Sequence, residues 1–411
     1  MKEYTWATIV PLVGGLPLAM QEATGRPPEY VMSYPGFEGN DDFYMDYLVK
    51  KGHDVPYILL DKETTNNPLP EIIKHVDITC AIPPCAGLSM LNSQTGGAKG
   101  RGSEAEQNSC MYYTSEFVLH NVQPLAHIGE SAPGLSSSIG EGVVKNLQAI
   151  AAFYGYRFHM IRTNSELHGL PQNRPRTFYI FWKEQIPKLQ YIAKPMPHIR
   201  DFIDAVPESA THYTDYLTDD KPSDNLWYQF VLMDADLTHP QMMNTFQGSG
   251  TVLKYIVSKK KLDEAIEWIT PRDRKIRPGG STTYASTLRR MKEKMSRGLG
   301  YWDGSPIVYN DRVNAVISKN VFGWMHYEED RYFSIRDLMS LMGLPDDFDI
   351  DIKRWNIICQ NVPLPTARDW CNEIIETLNG NRKFYNGMDY VFMNNVEQKT
   401  YFETNQLDIF I

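Results

Sequence analysis

The stretch DITCAIPPCAGLS, residues 77–89, decides how the rest of the chain is interpreted. An apolar run from Val76 to Ile82 predicts a short buried strand, which Pro83 and Pro84 end abruptly. Cys85 therefore lies on the loop after a strand, and in an open α/β sheet that position opens onto the ligand crevice. A thiolate there is a strong nucleophile when its neighbours lower its pKa, whereas a lone cysteine is also commonly a buried, inert core residue.

The first 185 residues alternate between strand-like and helix-like segments. Apolar, strand-like runs recur along this part, and helical patterns such as 16–24 and 141–154 separate them. This rhythm predicts an α/β fold with a Rossmann-like, doubly wound and mostly parallel sheet.

The alternation is lost from about residue 186, where prolines become frequent and the spacing irregular. Helical patterns return at 334–342 and 366–378. We therefore expect a catalytic domain of residues 1–185 plus 325–380, a smaller inserted domain at 186–324, and a C-terminal extension at 381–411. Residues 254–297 carry 13 Lys/Arg and 5 Asp/Glu, a local charge of +8, so the rest of a chain with net charge −9 carries −17.

Composition limits the class of protein. The chain has 411 residues, of which 42% are hydrophobic, and it contains no run near the ~20 apolar residues of a membrane span. The N-terminus has no signal-peptide pattern, and five cysteines without metal-ligand spacing favour a reduced, cytoplasmic protein. We expect a monomer with no metal and no membrane partner.

Three motifs lie at predicted strand ends, and a glycine pair, Gly14-Gly15, lies at another. They are Pro84-Cys85-x-x-x-Ser89, Gly129-Glu130-Ser131, and Gln172-x-Arg174-x-Arg176. In order and spacing they resemble the DNA cytosine-5 methyltransferase family of the phage and bacterial type. Two later segments, 336–348 and QNVPLP at 360–365, resemble the helix after that family's recognition domain and the motif that folds back onto its cofactor site.

The chemistry of cytosine agrees with this resemblance. C5 of cytosine is a poor nucleophile, but a thiolate that adds to C6 creates carbanion character at C5. The resemblance implies that Cys85 is this nucleophile and that Glu130 is the acid at N3, with its pKa raised by burial. It also implies that Arg176, with Arg174 beside it, holds the pyrimidine O2 and braces the thiolate.

The resemblance implies S-adenosylmethionine as the methyl donor. The residues assigned to it are Gly14 and Gly15 at the first turn, Asp61 after the third strand, Pro83, and Asn361 in the returning motif. The first motif departs from the family pattern, because Val10 stands where an aromatic side chain stacks on adenine and Leu12 where a glycine is usual. Glu38 is the candidate acid for the ribose.

Double-stranded DNA is the implied partner, and the target base must leave the helix to reach a buried thiolate. Ser89 and Gln172 would lie at the base, and the glycine-rich loop 95–102 would bring Lys99 and Arg101 to phosphates. In the inserted target-recognition domain, Lys259, Lys260 and Lys261 would contact the DNA backbone, unless this basic stretch is only a solvated surface.

Two other functions remain open from the sequence. One is an enzyme of free pyrimidine nucleotides, since thymidylate synthase-like enzymes also use a Pro-Cys nucleophile; there the cysteine precedes a histidine, whereas Ala86 follows Cys85. The other is a catalytically degenerate, DNA-binding homologue, which the altered first motif would explain.

Overall fold

The computed structural model describes residues 2–61, 69–89, 102–245, 250–276, 280–300, 307–308, 311–317 and 323–397. Lys99 and Arg101 lie outside these residues. The described residues form two compact units. One contains the chain up to Met196 together with the chain from Leu341 onward, and the other is Pro197–Ser340.

The first unit is built on an eight-stranded sheet. Its strands are β1 (Trp6–Ile9), β2 (Val31–Ser33), β3 (Tyr57–Leu59), β4 (Ile78–Ala81), β5 (Ala126–Ser131), β6 (Arg157–Asn164), β8 (Pro175–Trp182) and β12 (Tyr390–Asn394). A two-residue strand, β7 (Gln172–Asn173), precedes β8. The order across the sheet is β12-β6-β8-β5-β4-β1-β2-β3.

Pairing in this sheet is parallel except around β8, which runs antiparallel to both β5 and β6. This arrangement confirms the predicted α/β class and mostly parallel sheet. Strand β12 comes from the C-terminal extension and pairs in parallel with β6, from Tyr390 opposite Phe158 to Asn394 opposite Arg162. No strand was expected in the C-terminal extension from its sequence pattern.

Helices pack against the sheet and against one another. They are α1 (Gly15–Thr24), α2 (Glu38–Lys50), α3 (Ser109–Phe117), α4 (Glu141–Phe153) and α12 (Leu364–Leu378), with a 3₁₀ segment at Ile352–Gln360. Helices α1 and α12 pack against each other, and α4 lies against β6. On the α4 side, a buried cluster that includes Leu147, Phe158 and Tyr179 forms the core, and Cys85 packs against it.

The register of the central strands determines where the candidate site lies. All four residues of β4 are buried, which suits an apolar strand with a neighbour on each side. The register aligns Ile9 of β1, Ala81 of β4 and Gly129 of β5 across the sheet. The chain segments that follow β1 and β4, and the end of β5, therefore meet at one edge, where the sequence had placed the glycine pair, Cys85 and Glu130.

The second unit is mainly helical. Its helices are α5 (Ile199–Asp204), α6 (Leu226–Ala235), α7 (His239–Thr245), α8 (Val252–Ser258), α9 (Leu262–Ile269) and α10 (Tyr284–Ser296), and α11 (Ile335–Leu341) reaches its boundary. Short strands β9 (Gly250–Thr251) and β10 (Ile307–Val308) pair antiparallel, and β11 is Val313–Asn314. Asn225 caps α6 by accepting from the N–H groups of Trp227 and Tyr228.

Candidate active site

Cys85 lies four residues after β4, immediately before a 3₁₀ turn at Ala86–Leu88. The prolines stop the strand, and Leu88 returns its N–H to the Cys85 carbonyl at 3.0 Å, so the cysteine is held at the start of a tight turn. Its side chain is half-buried in the described structure. Ser89, which ends this turn, is also half-buried.

Glu130 and Arg176 form an ion pair beside this turn. Glu130 belongs to β5 and Arg176 to β8, and Arg176 Nε lies 2.6 Å from Glu130 Oε1. Glu130 is only 3% exposed. Burial raises the pKa of its carboxyl group above the ordinary value, and the positive charges of Arg176 and Arg174 act in the opposite direction. The arrangement is a buried carboxyl group that can hold a proton.

The electrostatics of Cys85 involve the same groups. Burial, followed by the Glu130 carboxylate, raises the pKa of the Cys85 thiol to about 11. Arg176, a backbone hydrogen bond from Ala132 and then Arg174 lower that pKa. Without a ligand, Cys85 is therefore a thiol at neutral pH, and protonation of Glu130 removes one of the two effects that oppose the thiolate.

Arg174 contacts the C-terminal part of the first unit. Its side chain is fully buried, and Nη2 donates to the carbonyls of Cys359 at 2.8 Å and Asn361 at 3.0 Å. Gln172 Nε2 likewise donates to the Leu341 carbonyl at 2.6 Å. The Gln-x-Arg-x-Arg motif thus has two sets of partners. Gln172 and Arg174 bind the returning C-terminal segment, and Arg176 pairs with Glu130.

Three residues predicted for the donor are brought together. The N–H of Gly15, at the start of α1, donates to Asn361 Oδ1 at 2.9 Å. A Cβ on Gly15 would lie 1.9 Å from the Val362 carbonyl oxygen, so only glycine permits this approach. Gly14 has φ +106°, and a Cβ there would lie 2.7 Å from a ring carbon of Tyr44.

Asn361 provides a test of whether the site suits a donor. Its side chain is fully buried, and within the described residues its Nδ2 amide group has no hydrogen-bond partner. Since an unpaired buried donor is costly, this group fits a ligand that brings an acceptor to the N-terminus of α1. Pro83 is buried two residues before Cys85, and Asp61 lies half-buried two residues after β3. These residues fit a bound methyl donor.

A buried acid near the donor residues was missed in the sequence. Asp41 in α2 is fully buried, and it accepts hydrogen bonds from Leu12 N–H at 3.0 Å, from Tyr57 hydroxyl at 3.0 Å and from Ser33 hydroxyl. Burial raises the pKa of Asp41 to about 6. Glu38, the candidate named from the sequence, accepts a hydrogen bond from Gly36 N–H at 2.5 Å, and its contact with the ribose stays a prediction.

Asp41 holds a strained loop. Val10 and Leu12 both have φ +51°, a left-handed conformation that costs a non-glycine residue roughly 1–2 kcal/mol. The hydrogen bond from Leu12 N–H to Asp41 fixes the loop in this conformation. In the sequence Asp41 could not be told from Glu38 and Asp42, because its burial depends on contacts with β2 and β3.

In the second unit, the described Lys and Arg side chains of residues 254–297 lie on the surface, except for half-buried Lys261. Lys259 and Lys260 are exposed, whereas Lys261 forms ion pairs with Glu264 at 2.8 Å and Asp234 at 3.4 Å. Arg272 stacks over the Trp268 ring, with its guanidinium carbon 4.4 Å from the ring centroid. This surface is available to an anionic partner.

In the described residues no helix is long and apolar enough to cross a membrane. The same residues contain no group of three or more His, Cys, Asp or Glu side chains that could hold a metal ion.

The fold and the site define a class of enzyme, with a half-buried cysteine after a strand end and a buried glutamate–arginine pair beside it. Residues 13–376 match the family model for C-5 cytosine-specific DNA methylase, so the chain belongs to this family. This confirms the resemblance and the enzyme class seen in the sequence. Members transfer a methyl group to C5 of cytosine in DNA, a reaction that requires DNA and a methyl donor.

Solved structures show the same fold. A prophage-encoded protein of E. coli, described as a DNA modification methyltransferase, is 15% identical over 92% of this chain and 99% of its own, with a TM-score of 0.52. The Entamoeba histolytica methyltransferase EhMeth is 12% identical over 92% of this chain and 99% of its own, with a TM-score of 0.50. No curated protein sequence matched the chain.

Proposed function

We propose that the protein methylates C5 of a flipped-out cytosine in duplex DNA, with S-adenosylmethionine as donor and Cys85 as the covalent nucleophile. The observation that carries this proposal is the Glu130–Arg176 pair at 2.6 Å beside Cys85 at the edge of the sheet. A nucleophile, an acid and a cation at one site are what addition to cytosine requires.

The reaction begins with the Cys85 sulfur. Once its proton has passed to solvent, it bonds to C6 of the base while the C5–C6 double bond shifts its electrons toward C5 and the ring, and Glu130 gives its proton to N3. A bound donor would then supply the methyl group to C5, and the donor's sulfur would keep the electron pair of the bond that breaks. Loss of the C5 proton to a base then restores the double bond, breaks the C6–S bond, returns Cys85 as a thiolate and returns the N3 proton to Glu130.

Arg176 acts on the base and on the acid. Its position beside Glu130 fixes the carboxyl group, and its charge favours the Cys85 thiolate and the electron density that develops at the pyrimidine O2. Ser89 completes the proposed base site, and Gln172 supports the site through its hydrogen bond to the Leu341 carbonyl.

Bound S-adenosylmethionine supplies an electrophilic methyl group. Asn361 Nδ2, which lies beside the N-terminus of α1, would donate a hydrogen bond to an acceptor atom of the bound molecule, and Asp61 would accept from its adenine amino group. Asp41 holds the loop of Val10 and Leu12 behind them. Neither Val10 nor Leu12 offers an aromatic face, so donor binding relies on these polar contacts.

In this proposal the second unit recognises the target, and its basic surface positions DNA through the phosphates. The protein acts as a cytoplasmic monomer on bacterial or phage DNA.

Transfer of labelled methyl groups from S-adenosylmethionine to duplex DNA, followed by nucleoside analysis, tests the proposal. The label should appear only as 5-methylcytosine, and Cys85→Ser should abolish it. Label in another nucleoside, or transfer that survives Cys85→Ser, would contradict it. Incorporation into free deoxycytidine monophosphate but not DNA would favour the nucleotide-modifying alternative.

A further inference from the structure

We infer that Arg174 is a positioning residue that joins the donor loop to the base site, rather than a residue that contacts the base. The inference rests on the proposed function, because that function makes Gly15 and Cys85 parts of one reaction. Three interactions support it. They connect Gly15 with Asn361, Asn361 with Arg174, and Arg174 with Cys85.

The first interaction of this series is at the donor loop. Gly15 N–H donates to Asn361 Oδ1, and the Val362 carbonyl lies where a Gly15 side chain would begin. The position of the segment 359–362 therefore sets the position of Gly15. Any shift of this segment must move the start of α1 or break the hydrogen bond.

The second interaction holds that segment. The 3₁₀ segment Ile352–Gln360 ends just before Asn361, and carbonyl groups at such an end lack helical partners. Arg174 Nη2 donates to two of these carbonyls, those of Cys359 and Asn361. A buried guanidinium supplies several donors in a fixed plane, so it can fix two acceptors at once.

The third interaction is electrostatic. The Arg174 charge lowers the pKa of the Cys85 thiol, and the Glu130, Cys359 and Cys85 charges in turn raise the pKa of Arg174. Burial, followed by the charge of Arg176, is the stronger influence and lowers the pKa of Arg174 to about 9. One buried cation thus stabilises the thiolate and holds the residue that fixes the donor loop.

The two roles can be separated by substitution. Arg174→Lys keeps the charge but removes the planar fork, so it should free the segment 359–362 while leaving the thiolate largely stabilised. Arg174→Met removes both the donors and the charge. Arg176→Lys is the matched control. It makes the same change two residues away, at an arginine whose ion pair is with Glu130.

The test needs neither donor nor DNA. Hydrogen–deuterium exchange of the Gly15 amide and the pH dependence of Cys85 alkylation, both followed by mass spectrometry, report on the two ends of the series. We expect Gly15 exchange about tenfold faster in Arg174→Lys and Arg174→Met, and unchanged in Arg176→Lys. Below about pH 9, where Arg174 is charged, Cys85 should be alkylated more slowly in Arg174→Met and at close to the wild-type rate in Arg174→Lys.

Wild-type protection of Gly15 in Arg174→Lys, in a protein whose melting temperature shows that it is folded, would overturn the inference. So would faster Gly15 exchange of equal size in Arg176→Lys, because that result would indicate general loosening. If Arg174→Met does not fold, the comparison of Arg174→Lys with Arg176→Lys still decides. Failure of the labelled methyl transfer with both exchange and alkylation as expected would instead count against the proposed function.

Discussion

The backbone N–H of Gly15 donates to the side chain of Asn361 at 2.9 Å, across 346 residues of sequence. This hydrogen bond joins the first turn of the chain to the segment that follows its last 3₁₀ helix. It explains why a motif near the C-terminus belongs to the same site, and the Val362 carbonyl beside it explains why residue 15 must be a glycine.

Gly15→Ala should therefore damage donor binding. The new methyl group would lie 1.9 Å from the Val362 carbonyl oxygen. Because this oxygen belongs to the backbone, relieving the clash requires the backbone to move, and we expect a loss of roughly 1–3 kcal/mol in unfolding free energy. Calorimetric titration with S-adenosylmethionine should show at least tenfold weaker binding. Gly39→Ala in α2 is the control, since its nearest neighbour is an arginine side chain 3.5 Å away. Equal binding by the two variants would contradict the prediction.

A second steric prediction concerns the residue before Glu130. A Cβ on Gly129 would lie 2.0 Å from Cζ of Tyr179, which faces it across β5 and β8. Gly129→Ala should lower the unfolding free energy by about 1–3 kcal/mol. Because the clash is with one side chain, Tyr179→Leu should recover part of the loss in the double variant. Urea denaturation of both single variants and the double variant measures this; strictly additive losses would contradict it.

Asp41 should make stability depend on pH. Its folded pKa of about 6 lies above the ordinary value of 3.8, so between these values the folded state binds more protons than the unfolded state. Stability should therefore fall as pH rises from about 4 to about 6, by on the order of 2–3 kcal/mol from this group.

The asparagine side chain of Asp41→Asn does not titrate, so this variant should lack the pH-dependent contribution of Asp41 to the free energy of unfolding. The measurement is urea denaturation of both proteins at several pH values between about 4 and 7, which brackets the titration. We expect the wild-type free energy of unfolding to decline relative to that of Asp41→Asn across this window. Parallel curves would show that Asp41 does not titrate as its surroundings indicate.

The basic surface of the second unit should affect DNA affinity without sequence preference. Neutralising Lys259, Lys260 and Lys261 should weaken binding to all duplexes and flatten the salt dependence by about 0.9 for each phosphate that is no longer neutralised. The change should come mainly from the first two, because Lys261 already pairs with Glu264 and Asp234.

The matched control neutralises three exposed lysines of the first unit, Lys74, Lys145 and Lys183. Titrations of each triple variant with duplex DNA at several salt concentrations measure the effect. If affinity and salt slope fall equally in both variants, the response reflects total charge, and the lysines at 259–261 have no special position.

The features that could be predicted from the sequence are those that depend on local residue pattern and on the order of the motifs. Strand β4, the turn at Cys85 and the motifs at 130 and 172–176 follow from apolar runs, prolines and spacing. The antiparallel direction of β8 and the edge position of β12 do not, because they depend on pairing between distant strands. The hydrogen bond from Arg174 to Cys359 spans 185 residues, and the burial of Asp41 depends on β2 and β3, so neither has a local signal.

Trapping a covalent protein–DNA adduct tests the claim that Cys85 forms a bond with cytosine C6. In 5-fluorocytosine the fluorine replaces the C5 proton that must leave, so the C6–S bond should persist after methyl transfer. With S-adenosylmethionine present, a duplex library carrying this base should yield a denaturation-resistant adduct, with mass spectrometry locating the link at Cys85. Absence of any adduct from a preparation that methylates unmodified DNA, or an adduct that persists in Cys85→Ser, would contradict the claim.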